Sequence, residues 1–152
     1  MRQTLLAMLL TLGAGFISNT FFTPDFNLFT AYRPVSSQLL EFPEIDVGFL
    51  LDLLELEGAV LIDARDPVQY EFFHIPGALS LPVDRFEEGF TLIRDQLPAD
   101  RPLITYCSDP HCSDSLMLAN RLYTEGFHDI FIFKGGIEGW RKYQQNRRSH
   151  AP

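Results

Sequence analysis

The chain has 152 residues, of which 46% are hydrophobic and 13% aromatic, and this is enough for one domain with a packed core. A formal net charge of −8 argues against a nucleic-acid partner, because a phosphate-binding surface needs a basic stripe. Two cysteines are too few for a disulfide framework, and a domain of this size folds without one.

The amino-terminal segment differs in composition from the rest of the chain. Residues 1–3 form a short flank that includes Arg2, and residues 4–22 carry no charged side chain. As a helix of about 28 Å this segment would cross a hydrocarbon core of about 30 Å, so we predict a transmembrane anchor. A cleaved signal peptide and a soluble amphipathic or buried helix are the alternatives. Arg2 favours a cytoplasmic amino terminus, which would place the globular domain outside the cytoplasm, on the periplasmic side. After signal cleavage it would be secreted instead.

The remainder of the chain divides into three parts. Residues 23–43 contain three prolines and show no sustained period, so we predict a linker. Residues 44–143 are predicted to form the globular domain, and residues 144–152 a polar tail. The basic cluster near the end of the chain is interpreted as a solvated surface.

Helices and short apolar strands alternate along the predicted domain. In chain order, apolar periodicity and turn residues predict a helix over 44–57, a strand over 59–62, a helix over 67–73, a strand over 77–81, a helix over 83–97, a strand over 103–106, a helix over 116–125, a strand over 130–133 and a last helix with Trp140. This alternation indicates a parallel α/β sheet with right-handed crossovers. Ligands of such sheets bind at the carboxyl ends of the strands, where Cys107 lies.

Both cysteines lie in the stretch Y-C-S-D-P-H-C-S-D-S, from Tyr106 to Ser115. A loop between a strand and a helix presents unpaired backbone N–H groups and the positive end of the helix dipole, which together stabilise an anion. Cys107 is therefore expected to have a lowered pKa and to be nucleophilic. The alternative is that Cys107 is a small buried hydrophobic residue at the end of a strand.

Three separated motifs resemble those of single-domain rhodaneses, a sulfurtransferase family. They are L-I-D-A-R-D-P-V-Q-Y-E-F-F-H-I-P-G-A-L-S-L-P at 61–82, Y-C with Ser113 six residues after the cysteine, and F-K-G-G-I-E-G-W at 133–140. The resemblance covers 44–143. It implies a rhodanese-like doubly wound parallel sheet flanked by helices, preceded here by the N-terminal hydrophobic helix.

The resemblance also implies a function and its residues. Cys107 would accept a sulfane sulfur as a persulfide and pass it to a thiophilic acceptor, a small molecule or protein thiol, without a cofactor. The active-site loop would comprise Ser108, Asp109, Pro110, His111, Cys112 and Ser113. Its amides would hold the persulfide, and the Ser113 hydroxyl would cap the next helix or bond the sulfur. Asp63 and Arg65 are similar to the family's acid and base that brace the active loop.

The loop departs from the family pattern Cys-Arg-Ser-Gly-x-Arg-Ser. It carries no arginine, and Asp109 and Asp114 add negative charge, so thiosulfate is expected to be a poor donor and a less charged persulfide a better one. Cys112 stands where an arginine is common. It is either a resolving thiol that attacks a persulfide or sulfenic acid on Cys107, leaving a disulfide, or an incidental loop residue.

The other polar residues have simpler interpretations. His111 with both cysteines gives too few ligands for zinc, so we predict no metal. His74 is interpreted as a structural hydrogen-bonding residue, and Phe73 replaces a glycine common in the family. Lys134 either compensates for the missing arginine or is simply solvated. Besides sulfur transfer, two functions stay open: a non-catalytic binding or redox-sensing module, and a dithiol oxidoreductase that uses Cys107 and Cys112.

Overall fold

The computed structural model of the protein describes residues 40–150. The flank 1–3, the anchor or signal segment 4–22 and nearly all of the linker 23–43 lie outside these residues. Between residues 40 and 150, no helix has both the length and the apolar character needed to cross a membrane.

A sheet of five parallel strands forms the centre of the domain. The strands are β1 Glu44–Ile45, β2 Val60–Asp63, β3 Leu79–Ser80, β4 Leu103–Tyr106 and β5 Ile130–Phe133. Their order across the sheet is β1-β5-β4-β2-β3. Asp63 at the end of β2 is the register partner of Tyr106 at the end of β4. This confirms the predicted parallel α/β sheet and brings the carboxyl ends of β2 and β4 together.

Helices cover both faces of the sheet. They are α1 Val47–Asp52 with a π-helical last turn Leu53–Glu57, α2 Pro67–Phe72, α3 Phe86–Ile93 between two 3₁₀ turns, α4 Asp114–Thr124 and α5 Gly136–Ser149. One apolar cluster packs α3 and α4 against the sheet, and a second packs α1 and α5 against the other face. Successive residues of β4, Leu103 and Ile104, belong to different clusters because strand side chains alternate between faces. The sheet is therefore doubly wound, as predicted.

The start of the domain differs from the prediction. Residues Glu44–Ile45 form β1 and pair with β5, whereas the sequence predicted the first helix from residue 44. The helix begins only after Asp46, whose carboxylate accepts a hydrogen bond of 2.9 Å from the N–H of Phe49. A strand of two residues is too short to show a period of two, so the helical spacing of the apolar residues extended over it.

Two predicted helices have different bounds in the structure. The segment predicted as one helix over 83–97 is an α-helix only from Phe86 to Ile93, with 3₁₀ turns on either side. Its apolar stripe is nevertheless buried, since Phe86, Phe90 and Leu97 all join the core. The last helix continues to Ser149, into the segment predicted as a polar tail, and its basic side chains there are exposed as expected.

Candidate active site

The active loop joins the carboxyl end of β4 to the amino end of α4. It runs from Cys107 to Ser113 and is curled by two local hydrogen bonds from its own backbone. The Cys112 N–H donates to the Asp109 carbonyl oxygen at 3.2 Å, and the His111 N–H donates to the Asp109 carboxylate at 2.8 Å. Asp109, which the sequence suggested only as an unfavourable charge, therefore shapes the loop through an Asx turn.

The two cysteines form a disulfide within this loop. Their Cα atoms are 6.1 Å apart, which is within the usual range for a disulfide. Cys107 is only 2% exposed, whereas Cys112 is partly exposed. The structure thus shows the oxidised form of the loop, in which Cys107 is buried behind Cys112.

Backbone amides provide the positive character of the site. Within residues 40–150, the N–H groups of Ser108, Asp109 and Ser113 donate no hydrogen bond to another residue. Ser113 is the N-cap residue of α4, but its exposed hydroxyl caps no amide, so the predicted capping role is wrong and the alternative, a bond to the sulfur, stays a prediction. A helical backbone conformation at Ser113, with φ −86° and ψ −12°, replaces the extended one in which N-cap side chains reach the amides. The loop therefore keeps free donors for an anion.

One carboxylate opposes these donors. Asp114 lies in the first turn of α4, and its Oδ2 atom is 3.8 Å from Cys107 Sγ. The two sulfurs and an Asp114 carboxylate oxygen lie within 4.8 Å of one another, but the sulfurs are bonded to each other and His111 is not part of the group. Asp114 thus acts on Cys107 mainly as a nearby negative charge.

Helix α5 holds the loop from the other side. The N–H groups of Ile137 and Glu138 donate to the carbonyl oxygens of Cys107 and Ser108 at 3.0 and 3.1 Å. Gly136 allows this approach, because its φ is +55° and a Cβ there would be 2.5 Å from the Cys107 carbonyl oxygen. The sequence analysis did not predict this contact between α5 and the loop, which we call the clamp. The Lys-Gly-Gly turn is the feature of the sequence that could have indicated it.

A buried ion pair lies beneath the loop. Arg65 is 6% and Asp63 0% exposed, and an Arg65 terminal nitrogen is 2.6 Å from the Asp63 carboxylate. The same nitrogen donates to the Phe73 carbonyl oxygen at 2.7 Å. Burial tends to lower the pKa of Arg65, but its hydrogen bonds to Asp63 and the charge of Asp63 raise it overall. The pair therefore fixes the Phe73 turn to the end of β2.

Tyr106 connects this pair to the active loop. Its ring is fully buried, with the Arg65 guanidinium 5.9 Å from the ring centre, and its hydroxyl accepts a hydrogen bond from the Ile75 N–H at 3.2 Å. Burial, and then the adjacent Asp63 carboxylate, raise the pKa of Tyr106 well above its ordinary value. Asp63 and Arg65 thus reach the loop through Tyr106, the residue before Cys107. Their hydrogen bonds within residues 40–150 do not include residues 108–113.

The remaining predicted residues have structural partners. His74 stacks on Tyr70 with ring centres 4.0 Å apart, and its Nδ1 is 2.9 Å from the Tyr70 carbonyl oxygen, as expected of a structural histidine. Lys134 pairs with Glu44 at 2.8 Å, and both side chains are about half exposed. Lys134 is therefore not free to replace a loop arginine unless it leaves this partner.

Comparison with known proteins agrees with this arrangement. Residues 46–143 match the family model described as the rhodanese-like domain. The protein named thiosulfate sulfurtransferase GlpE from Tolumonas auensis is 32% identical over 101 residues, which cover 66% of this chain and 90% of that protein. GlpE from Pseudomonas syringae pv. syringae is 36% identical over 88 residues, 58% of this chain and 77% of that protein.

Solved structures share the fold. The BH2092 protein from Bacillus halodurans has a TM-score of 0.57 at 32% identity and covers 78% of this chain and 83% of its own. The single-domain sulfurtransferase RDL2 from Saccharomyces cerevisiae has a TM-score of 0.56 at 17% identity, covering 74% of this chain and 98% of its own. The family match spans four of the five strands, β2 to β5, with the active loop and the Lys134-Gly135-Gly136 turn, and the chain belongs to the rhodanese-like domain family.

Proposed function

We propose that the protein is a sulfurtransferase that carries a sulfane sulfur as a persulfide on Cys107. The observation that supports this most directly is the position of Cys107 at the carboxyl end of β4, in a loop with free amides and in front of helix α4. An anionic sulfur at this position would receive hydrogen bonds and favourable helix-dipole energy. Relatives named thiosulfate sulfurtransferase support the same activity.

The proposed reaction begins from the reduced loop. The Cys107 thiolate attacks the outer sulfur of a donor, the donor's sulfur–sulfur bond breaks, and its electron pair leaves with the donor fragment. An acceptor thiolate then attacks the outer sulfur of the Cys107 persulfide and expels the Cys107 thiolate. No electrons are gained or lost overall, and neither a cofactor nor a metal is required.

The charges around the loop favour a donor with little negative charge. Asp114 lies 3.8 Å from Cys107 Sγ, and Asp109 holds its carboxylate within the loop. Thiosulfate carries two negative charges and would be repelled by both groups. We propose a persulfide of a small molecule or protein as the donor and a thiol as the acceptor.

The disulfide supports a second candidate function, a dithiol reaction. Once a persulfide forms, the Cys112 thiolate would attack Cys107 Sγ, expel the outer sulfur as hydrosulfide, and leave the disulfide that the structure shows. The two thiols are oxidised and the sulfane sulfur is reduced, so the electrons balance. Cys112 would then be a resolving thiol. A module that only binds a partner or senses redox state would show neither reaction.

Mass spectrometry of the reduced full-length protein distinguishes these functions. With glutathione persulfide, Cys107 of the Cys112→Ser variant is expected to gain about 32 Da, the mass of one sulfur. Cyanide is expected to remove this sulfur. Cys107→Ser is expected to gain nothing that cyanide removes. Wild-type protein that loses two hydrogens and releases sulfide would show the dithiol reaction. No change in any variant would contradict both functions and leave a binding module.

The proposed location of this chemistry is the periplasmic side of a membrane, with residues 4–22 as the anchor. The apolar composition of those residues supports it. An alkaline phosphatase fused after residue 152 is expected to be active in cells and to sediment with membranes. Activity in the medium would instead indicate a cleaved signal, and an inactive fusion would contradict export.

A further inference from the structure

A cavity of about 630 Å³ opens beside the active loop. Loop residues His111, Cys112 and Ser113 line one side, and Phe42, Glu44 and Lys134 are among the residues opposite. This volume is in the range of small-molecule sites, roughly 300 to 1,000 Å³. Cys107 is not among the lining residues, so the cavity gives access to the disulfide only at Cys112.

The two sulfurs of the disulfide are therefore not equivalent toward an external thiol. Thiol–disulfide exchange requires a thiolate to reach one sulfur and the other sulfur to leave with the electron pair. Cys112 is partly exposed and lines the cavity, while Cys107 is 2% exposed. Attack on Cys112 makes Cys107 the leaving thiolate in front of the amino end of α4, where the helix dipole favours the anion and Asp114 at 3.8 Å opposes it.

The charges of the cavity indicate which thiols it suits. Lys134 and Glu44 lie on its wall as a half-exposed ion pair, with their charged atoms 2.8 Å apart, and Glu41 and His111 also line it. Because both side chains are about half exposed, this ion pair can open and exchange partners, so that a ligand carboxylate pairs with Lys134 and a ligand ammonium pairs with Glu44. Phe42, Leu116 and Ile132 provide an apolar surface for the rest of the ligand.

We propose that this cavity binds a small zwitterionic thiol, such as cysteine or a short cysteine peptide, which opens the disulfide by attack on Cys112. The thiolate bonds to Cys112 Sγ, the bond to Cys107 breaks, and Cys107 leaves as a thiolate. A second thiol molecule then attacks the sulfur of the first, releases a symmetrical disulfide and restores reduced Cys112. Two thiols supply the two electrons that the loop gains. The biological role of this reaction, the return of Cys107 to its reduced form, rests on the proposed function. The opening of the disulfide itself can be measured without a sulfur donor.

The site of attack is tested by trapping. Oxidised full-length protein is mixed with cysteine for times from milliseconds to seconds, quenched in acid and alkylated, and the loop peptide is fragmented in a mass spectrometer. The expected adduct is cysteine on Cys112 with the alkyl group on Cys107. Cysteine on Cys107 with the alkyl group on Cys112 would overturn the proposal.

The binding site is tested by the rate of opening with two thiols, of which only cysteine carries an ammonium and a carboxylate. Cysteine and 2-mercaptoethanol both attack as thiolates of net charge −1, and each rate is corrected for the fraction of thiolate. Lys134→Ala is expected to slow cysteine about two- to fivefold more than it slows 2-mercaptoethanol, the effect of one partly exposed ion pair. The matched control Lys142→Ala removes an exposed lysine that does not line the cavity, and both rates should stay at the wild-type value.

The result that would overturn this part is an equal effect of Lys134→Ala on both thiols, or no effect on either. Protein that opens as described but accepts no sulfur from any donor would support this inference and contradict only the proposed sulfur transfer.

Discussion

Gly136 is expected to be the position where a single methyl group damages the active loop most. A Cβ on this residue would lie 2.5 Å from the Cys107 carbonyl oxygen, 2.9 Å from the Ser108 carbonyl carbon and 3.0 Å from the Asp109 nitrogen. All three atoms belong to the backbone, so no side-chain rotation can relieve the contact. Gly136→Ala must therefore move the loop away from α5.

The cost can be worked out from the geometry. A residue with a Cβ at φ +55° costs about 1 to 2 kcal/mol by itself. Separation of α5 from the loop also breaks the hydrogen bonds from Ile137 and Glu138, worth about 1 kcal/mol each. The free energy of unfolding should fall by about 3 to 4 kcal/mol.

Gly77→Ala is the matched control. Gly77 also has a positive φ, +83°, but a Cβ there would meet no atom within 4 Å. The free energy of unfolding of this variant should fall only by the cost of the backbone conformation, about 1 to 2 kcal/mol. By thermal unfolding, Gly136→Ala should melt about 8 °C below Gly77→Ala, at roughly 4 °C for each kcal/mol in a domain of this size.

Two measurements test whether the contact between α5 and the loop has this role. Circular dichroism gives the melting temperature of both variants, and persulfide formation on Cys107 is measured well below it, where both are folded. Gly136→Ala should lose sulfur uptake while Gly77→Ala keeps it. Equal melting temperatures with equal uptake would refute the role assigned to the contact between α5 and the loop.

Three further changes test the groups around the loop. Arg65→Met leaves a buried carboxylate without its partner and should destabilise the protein by about 3 to 5 kcal/mol in urea unfolding, against less than about 1 kcal/mol for Arg121→Ala, whose ion pair is exposed. Because the pKa of Tyr106 is raised in the folded protein, its contribution to stability is complete below the unfolded value near 10 and is lost as pH rises above it. Tyr106→Phe should therefore lose less stability than wild type between about pH 9 and 11, and equal slopes would contradict this. Asp114→Asn removes a charge 3.8 Å from Cys107 Sγ and should raise the alkylation rate of the reduced thiol at neutral pH about fivefold, since unit charges at 4 Å interact by about 1 kcal/mol even in water; an unchanged rate would show that the charge is screened.

The strands and helices whose apolar residues follow a regular spacing were predictable from the sequence. β4 and β5 have the bounds that their apolar runs predicted, because every residue of β4 and three of the four in β5 are buried, and Lys134 with Gly135 ends the run of β5. The two-residue strand β1 was not predictable, since its place depends on pairing with β5, far along the chain. Long-range pairing gives no local pattern to such a short segment.

The place of Cys107 in the fold was predictable from the sequence, but the contacts around it were not. The position of Cys107 followed from the strand and loop pattern, whereas the clamp from Gly136 involves residues separated by more than twenty positions. The role of Asp109 was also missed, because the sequence shows its charge but not the Asx turn to His111. Contacts between a loop and a distant helix depend on the whole fold, which local spacing does not encode.

The negative charge of the loop and its second cysteine have a common physical consequence. Amides and the α4 dipole favour a thiolate at Cys107, but the dipole is worth only about half a charge, and Asp114 places a full negative charge 3.8 Å away. A disulfide removes the charge from Cys107 and so avoids this repulsion, whereas an arginine at position 112 would have neutralised it. With Cys112 there instead, we expect oxidation of the loop to relieve this repulsion, and we expect the same acidic residues to weaken binding of a dianionic donor.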